Sequence, residues 1–137
     1  MILETTDNVE EQDCKVIYEG LLAYNLERLE DKNLQDIGLY AKDENGTIVA
    51  GLIGSTHGNW FFVKYLWVSE PLRGKSVGSS ILRQAEEKAK QRGCNYVFLD
   101  TFSFQAPDFY EKHGYQQVFV LEDYPLTGKR YYFTKRL

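Results

Sequence analysis

Cysteine is scarce in this chain of 137 residues, which holds only Cys14 and Cys94. The two form no metal-ligand spacing, and both read as buried free thiols. Histidine is as sparse. His57 and His113 are not spaced as a metal pair, each reads as a surface group beside a turn, and no metal is expected. No apolar run approaches the roughly 18 residues of a membrane span. The chain opens Met1-Ile2-Leu3-Glu4 and soon turns acidic, with no basic leader ahead of an apolar stretch. A soluble cytoplasmic protein is the expectation. An excess of basic residues is missing too: Lys and Arg number 16 against 20 Asp and Glu, for a net charge of −4. That argues against a nucleic-acid backbone as the main partner and is compatible with a cationic or amine substrate.

What the chain has is hydrophobic and aromatic content. Hydrophobic residues make up 43% and aromatics 15%, including 10 Tyr and 8 Phe. That composition excludes disorder and suggests a sheet with aromatic cross-strand packing. The length predicts one domain over residues 1–137, burying roughly two thirds of its unfolded surface.

Residues 9–31 carry a helical pattern, with Ile17, Leu21 and Tyr24 on one face and Leu22, Leu26 and Leu29 widening it. Gly20 is expected to weaken its middle and divide it into two shorter helices. Strands are predicted over residues 39–42 and 48–55, joined by a hairpin turn in which Asn45-Gly46 is a good primed-turn pair. Residues 60–69 form a longer aromatic strand, apolar on both sides as a strand covered on both faces would be. Next comes the clearest element, an amphipathic helix with Val77, Ile81, Leu82, Ala85 and Ala89 inside and Arg83, Glu86, Glu87, Lys90 and Gln91 on the wet side. Gly93 stops it. A strand over 95–101, a short helix over 106–113 and two final strands over 115–121 and 129–135 complete an α+β unit. Its strand–helix–strand passage should be a right-handed parallel crossover.

The corner before the amphipathic helix is the most informative segment. Leu66, Trp67 and Val68 end the aromatic strand, and Arg73, Gly74, Lys75, Ser76, Val77 and Gly78 lead into the helix with two glycines, two basic residues and no acid. Free amide N–H groups at such a helix start, helped by the positive end of the dipole, can cradle a phosphate. About thirty residues later stands Ala106-Pro107-Asp108-Phe109-Tyr110-Glu111-Lys112-His113-Gly114-Tyr115.

These two segments, in this order and separated by the amphipathic helix, resemble the GCN5-related N-acetyltransferase (GNAT) superfamily over nearly the whole chain. The resemblance implies the acyl-CoA N-acyltransferase fold: a mixed, mostly antiparallel sheet of about six to seven strands, a central splayed parallel pair, and helices on both faces. The implied pyrophosphate loop has Arg73 in its first place, Gly74 as the extra glycine, Val77 in the apolar place and Gly78 last. Ser76 stands where the family usually has its middle glycine, and it is expected to take helical dihedrals with its amide still toward the phosphate. Ser103 stands where an asparagine is common three residues before Ala106.

The family likeness makes acetyl-CoA or coenzyme A the cofactor, held by Leu66, Trp67, Val68, Arg73, Gly74, Lys75, Ser76, Val77, Gly78, Ser79, Ser103, Tyr110 and Lys112. Tyr110 is the implied catalytic residue, a phenol able to protonate the departing thiolate. The base is open among Asp100, Glu70, Asp123 and water. Acceptor binding is assigned to Tyr24, Asn25, Trp60, Asp100 and Asp123, on the first helices, the 57–60 turn and the 122–128 loop. The implied reaction is direct acetyl transfer to a primary amine of a small molecule. Alternatives are a protein N-terminal or lysine acetyltransferase and a non-catalytic CoA-binding sensor or interaction module. A homodimer is possible.

Overall fold

A computed structural model describes residues Met1–Leu137. Contacts divide them into two units, Met1–Lys32 and Asn33–Leu137.

The first unit is one helix, α1 (Glu11–Leu26). It runs unbroken through Gly20, where nothing surrounds the missing side chain. The glycine therefore lowers helix propensity without supplying a break. Asn25 ends the helix by accepting the Arg28 and Leu29 N–H groups at 2.9 Å on its carbonyl. No residue of α1 is buried, and Ile17, Leu21 and Tyr24 of its apolar stripe are exposed. Cys14 is consequently exposed, not buried as expected, whereas Cys94 in the second unit is buried.

The second unit holds six strands in one sheet of order β1-β2-β3-β4-β6-β5: β1 (Gln35–Lys42), β2 (Ile48–His57), β3 (Trp60–Val68), β4 (Tyr96–Phe102), β5 (Gln116–Leu121) and β6 (Arg130–Arg136). All neighbours are antiparallel except β3 and β4. The helix α2 (Val77–Gln91) links that parallel pair, and α3 (Pro107–Lys112) follows β4. Period-two burial puts Ala50, Leu52, Phe61, Val63, Val97, Leu99 and Phe133 on one face, against Ile81, Leu82, Ala85 and Ala89 of α2. Each of the largest, such as Phe61 and Phe133, contributes roughly 1.5–3 kcal/mol by leaving water. Tyr110 of α3 packs on Phe133 from the same side.

The other face of β3 and β4 carries an aromatic ladder, with Trp60 against Tyr96 at 4.9 Å and Phe62 stacked on Phe98 at 4.7 Å. Trp67 and Tyr65 on this face stay 51% and 61% exposed, so β3 is covered on one side rather than both. Glu86 is a second departure. Placed by periodicity on the wet side, it is only 6% exposed and binds Lys135 of β6 at 3.0 Å and the Tyr115 hydroxyl at 2.7 Å. Those partners, far along the chain, allow a carboxylate on the inner half of the helix.

Two features of β3 position the site. Ile53 of β2 faces Tyr65 and Gly54 faces Val63, so Lys64 is an extra residue, a bulge. The parallel pairing with β4 covers only Trp60–Phe62 opposite Tyr96–Phe98 and stops before that bulge. Beyond it the two strands separate, and Leu66, Trp67 and Val68 line one side of an opening in the sheet.

Candidate functional site

The opening continues into a cleft of about 710 Å³, lined by the end of β3, the loop after it, the start of α2, and the segment running from β4 into α3. That volume falls within the range of sites for small molecules and cofactors. Arg73 is the only charged side chain in the lining.

The cleft's polar groups come mostly from backbone. Ser69 N–H bonds to Val49 of β2, so strand alternation turns the peptide groups of Leu66 and Val68 the other way, into the gap. After a 3-10 turn at Glu70–Leu72, the chain reaches Gly74 at φ +76° and Ser76 at φ +62°, ψ +17°. Both are left-handed, a region where a side chain costs energy and glycine does not. Ser76 therefore does not take the right-handed helical dihedrals expected of it. The family glycine makes physical sense there, and serine occupies the position under strain. The first intrahelical bond of α2 is Ser80 N–H to Ser76 C=O at 3.0 Å, which leaves the Val77, Gly78 and Ser79 amides without a helical partner. No side chain caps them.

Arg73 does more than add charge. Its Nε donates to the Val68 carbonyl at 3.0 Å, tying the loop to the end of the splayed strand. Gly78 has close neighbours: a Cβ there would lie 3.4 Å from Val68 Cγ2 and 3.7 Å from Phe109 Cζ.

At the α3 side stands Tyr110, 8% exposed, its ring against Phe109, Tyr115 and Phe133. Burial, with a smaller push from the Asp100 charge, raises its phenol to about 12. Asp100, on β4, receives both Arg130 Nε at 2.9 Å and Arg130 Nη2 at 2.8 Å on the single oxygen Oδ1. Arg130 also reaches the Tyr124 hydroxyl at 3.4 Å, and Tyr124 stacks on Phe102. Phe102 in turn meets Phe104, which lines the cleft.

Of the residues singled out from sequence, the cleft brings together Leu66, Trp67, Val68, Arg73, Gly74, Ser76, Gly78, Ser79 and Tyr110. Lys75 and Val77 line a second, smaller hollow with Leu39, Tyr40 and Ala41 of β1. Lys112 is exposed on α3 outside the lining. Ser103 is also outside it, accepting the Lys129 N–H on Oγ at 3.3 Å. Trp60 starts β3, on the hairpin turn with β2, while the loop leaves the strand's other end. Eight residues of strand, roughly 25 Å, separate them. Asp123 sits exposed in a turn at φ +53°, and it is Tyr124 beside it that contacts Arg130. Glu70 is exposed in the 3-10 turn. Tyr24 and Asn25 belong to the N-terminal unit, where the Arg28 guanidinium lies 3.7 Å from the Tyr24 ring centre.

Sequence reasoning missed Leu72, Phe104, Gln105, Ala106 and Phe109 as lining residues. Gln105 closes the end of β4, its Oε1 accepting from Phe102 N–H at 2.8 Å and Thr101 Oγ1 at 3.1 Å. Phe109 was in view as part of the Tyr-bearing segment. Phe104 and Gln105 lie in a loop with no periodic signal.

The splayed parallel pair is a feature that the resemblance implied, and bare amides at the start of α2 are what the glycine-bearing corner predicted; the left-handed Ser76 is not. The profile of the acetyltransferase (GNAT) family matches residues 4–115. The chain belongs to this family. Among its relatives, acetyltransferase Atu2258 of Agrobacterium fabrum is 33% identical over 104 residues, 76% of each chain. Blasticidin-S acetyltransferase of Streptomyces morookaense is 36% identical over 98 residues, 71% of this chain and 72% of that one. A crystal structure of an acetyltransferase from Bacillus cereus superposes with a TM-score of 0.82 at 34% identity, covering 98% of both chains. The protein is thus an acetyl-CoA-dependent N-acetyltransferase of GNAT type. No helix is long and apolar enough to cross a membrane.

Proposed function

We propose that the cleft holds acetyl-CoA with its pyrophosphate on the amides of residues 73–79 and that the acetyl group passes to a primary amine of a small molecule. One observation carries this reading: the cleft joins a helix start with three unpartnered amides to a gap between splayed strands, and its lining carries one cation and no acid. An anion with an extended arm fits that arrangement. The amides and the helix dipole meet the anion, and the Leu66 N–H and C=O and the Val68 N–H are left to complete a strand-like ladder with the arm, the Val68 carbonyl being held by Arg73. When bound, acetyl-CoA supplies an activated acetyl thioester.

Tyr110 Oη keeps its proton throughout the physiological range because burial holds the phenol near 12. It can therefore donate a hydrogen bond to a departing thiolate, whose charge develops only as the bond to sulfur breaks. No cleft side chain is a thiol, and Cys94 is buried elsewhere, its Sγ 3.6 Å from the Gly58 carbonyl and its ionisation disfavoured by burial. Attack by the amine itself is the remaining route.

Asp100 is the group we assign to the acceptor. Arg130 occupies only Oδ1, so Oδ2 is left to accept from an ammonium and to take its proton directly or through water. Its partner Arg130 meets the Tyr124 hydroxyl, and Tyr124 is linked through Phe102 to Phe104 in the cleft. A relative named for blasticidin S, a small molecule, supports that substrate class.

The test pairs calorimetric titration of coenzyme A with a thiol-release assay over a panel of small amines and peptides. Native protein should bind, and one or more small amines should release thiol. Tyr110→Phe should bind within about threefold of native while turnover under saturating acceptor falls by about tenfold to a thousandfold. Unchanged turnover would remove Tyr110 from the chemistry, and release driven by peptides alone would replace the small-molecule assignment.

A further inference from the structure

One titratable group at the cleft has no part in the reaction described above. His113 caps the C-terminal end of α3, and its Nε2 lies 2.9 Å from the Oγ of Ser79 across on α2. The imidazole is half-buried, with the Phe109 ring centre 4.7 Å away on one side. Ser79 lines the cleft in the first turn of α2, where its own amide is among those lacking a helical partner. The contact joins two segments 34 positions apart in sequence, just where an anion would meet the helix start.

A serine hydroxyl has one proton, and the histidine decides where it points. If Nε2 is bare, it accepts that proton and turns the hydroxyl away from the cleft. If Nε2 carries hydrogen, it donates to Oγ and leaves the hydroxyl free to donate to an anion. A bound anion therefore selects the Nε2–H forms, and among them it favours the imidazolium, whose positive charge stands one side chain behind.

We propose that His113 is a positioning residue for the cofactor's pyrophosphate: it holds the Ser79 hydroxyl toward the anion and couples binding to uptake of a proton. This rests on the assignment of the cleft to acetyl-CoA. Charged groups facing the ring are Glu86 and Arg83 of α2 and Lys135 of β6. Burial is the strongest influence and lowers the ring's proton affinity, Glu86 raises it, and Lys135 and Arg83 lower it further. The free protein thus holds His113 mostly neutral near pH 7, so there is a proton to be taken up when an anion arrives.

The sign follows from linkage. A ligand that binds the protonated form better binds more tightly as pH falls. 3′-Dephospho-coenzyme A is the proper probe, because its pyrophosphate gains no proton between about pH 5.5 and pH 8, whereas the terminal phosphate of coenzyme A does. Native protein should bind the probe about five- to tenfold more tightly at the acid end, equivalent to raising the ring's pKa by up to about one unit on binding. His113→Gln keeps an amide donor near the Nε2 position and does not titrate. It should bind within about threefold of native at pH 8 with a flat profile. His113→Phe keeps the ring contact with Phe109 but removes the donor, and should lose about five- to tenfold. Adding Ser79→Ala to that variant should then cost little more, as coupled residues do not add.

A pH profile that survives in His113→Gln, or losses from His113→Phe and Ser79→Ala that multiply in the double variant, would overturn the proposal. Circular dichroism of each variant separates these outcomes from unfolding. If native protein binds neither probe nor coenzyme A at any pH, the cofactor assignment itself falls and takes this one with it. Binding by native protein with no acid enhancement overturns the coupling alone.

Discussion

Replacing Ser76 with glycine tests the loop geometry more directly than any other single change. Ser76 sits at φ +62°, ψ +17°, immediately before the first residue of α2. A residue with a Cβ pays roughly 1–2 kcal/mol for that left-handed conformation. Glycine removes this cost but loses roughly 0.5–1 kcal/mol through the greater freedom of its unfolded chain. The serine side chain makes no cap hydrogen bond, so nothing is forfeited by deleting it. The balance is a stabilisation between about 0 and 1.5 kcal/mol, or a rise of up to roughly 5 °C in Tm. Ser76→Val is the companion, since a β-branched side chain at positive φ is a genuine outlier; it should destabilise by roughly 1–2 kcal/mol further than serine does. Urea denaturation of the three proteins gives the stabilities, and titration with coenzyme A gives affinity beside them. If Ser76→Gly unfolds more easily by over about 1 kcal/mol, the left-handed assignment is wrong. If it is stable but binds coenzyme A about tenfold more weakly, roughly 1.4 kcal/mol, then the hydroxyl is itself a ligand and its strain is retained for binding.

Three further outcomes are expected. Gly78→Val should weaken coenzyme A by more than about tenfold, because a Cβ already in contact with Val68 and Phe109 leaves no room for branches beside the amides. Lys75→Ala, whose side chain is exposed and turned to the second hollow, should change affinity by less than about threefold in the same titration. Lys135→Met should cost roughly 2–4 kcal/mol in urea denaturation, since it strips the buried Glu86 of its cation and leaves only the Tyr115 hydroxyl. A loss below about 0.5 kcal/mol would mean that the pair is replaceable by packing.

Local patterns in the sequence made most elements legible. The α2 helix was readable because Ile81, Leu82, Ala85 and Ala89 recur at its period, and all four are buried. The Asn45-Gly46 turn lies between β1 and β2 as expected, but it is not a primed pair: Gly46 has positive φ and Asn45 does not, and the Gly46 N–H bonds to the Asp43 carbonyl at 3.0 Å. Failures came where a distant residue decides. Glu86 looks like a wet-face carboxylate until Lys135, 49 positions on, is seen to reach it. The strand β1 begins at Gln35 rather than Leu39, since Gln35, Asp36 and Gly38 carry no strand signal and are held by pairing with Thr56, Ser55 and Ile53. The Lys64 bulge, which lets the sheet open, depends on register with β2 and has no local signature.

The same division runs through the site, and it explains why the donor side is readable and the acceptor side is not. The phosphate recognition proposed above uses backbone amides at one corner of the chain, so its requirements are written in adjacent residues, Arg73 to Ser79. Only the backbone of Ser76 escaped that reading, since helical dihedrals were expected where the chain takes φ > 0. The proposed acceptor side is assembled from β4, the β5–β6 connection and β6: Asp100, Tyr124 and Arg130 meet only because β4 pairs with β6 in a register that sets Asp100 opposite Tyr132 and Phe102 opposite Arg130. A bare Asp100 would be an unremarkable strand carboxylate. Held on one oxygen by Arg130, with Tyr110 close enough to feel its charge, it becomes the carboxylate proposed above for the acceptor ammonium. The consequence for substrate choice is physical. Under that assignment, substitutions at Tyr124, which meets Arg130, or at Phe102 and Phe104, which are linked to it, would alter the acceptor side without disturbing the amides that would hold the cofactor, so acceptor range could change while the donor machinery stays fixed.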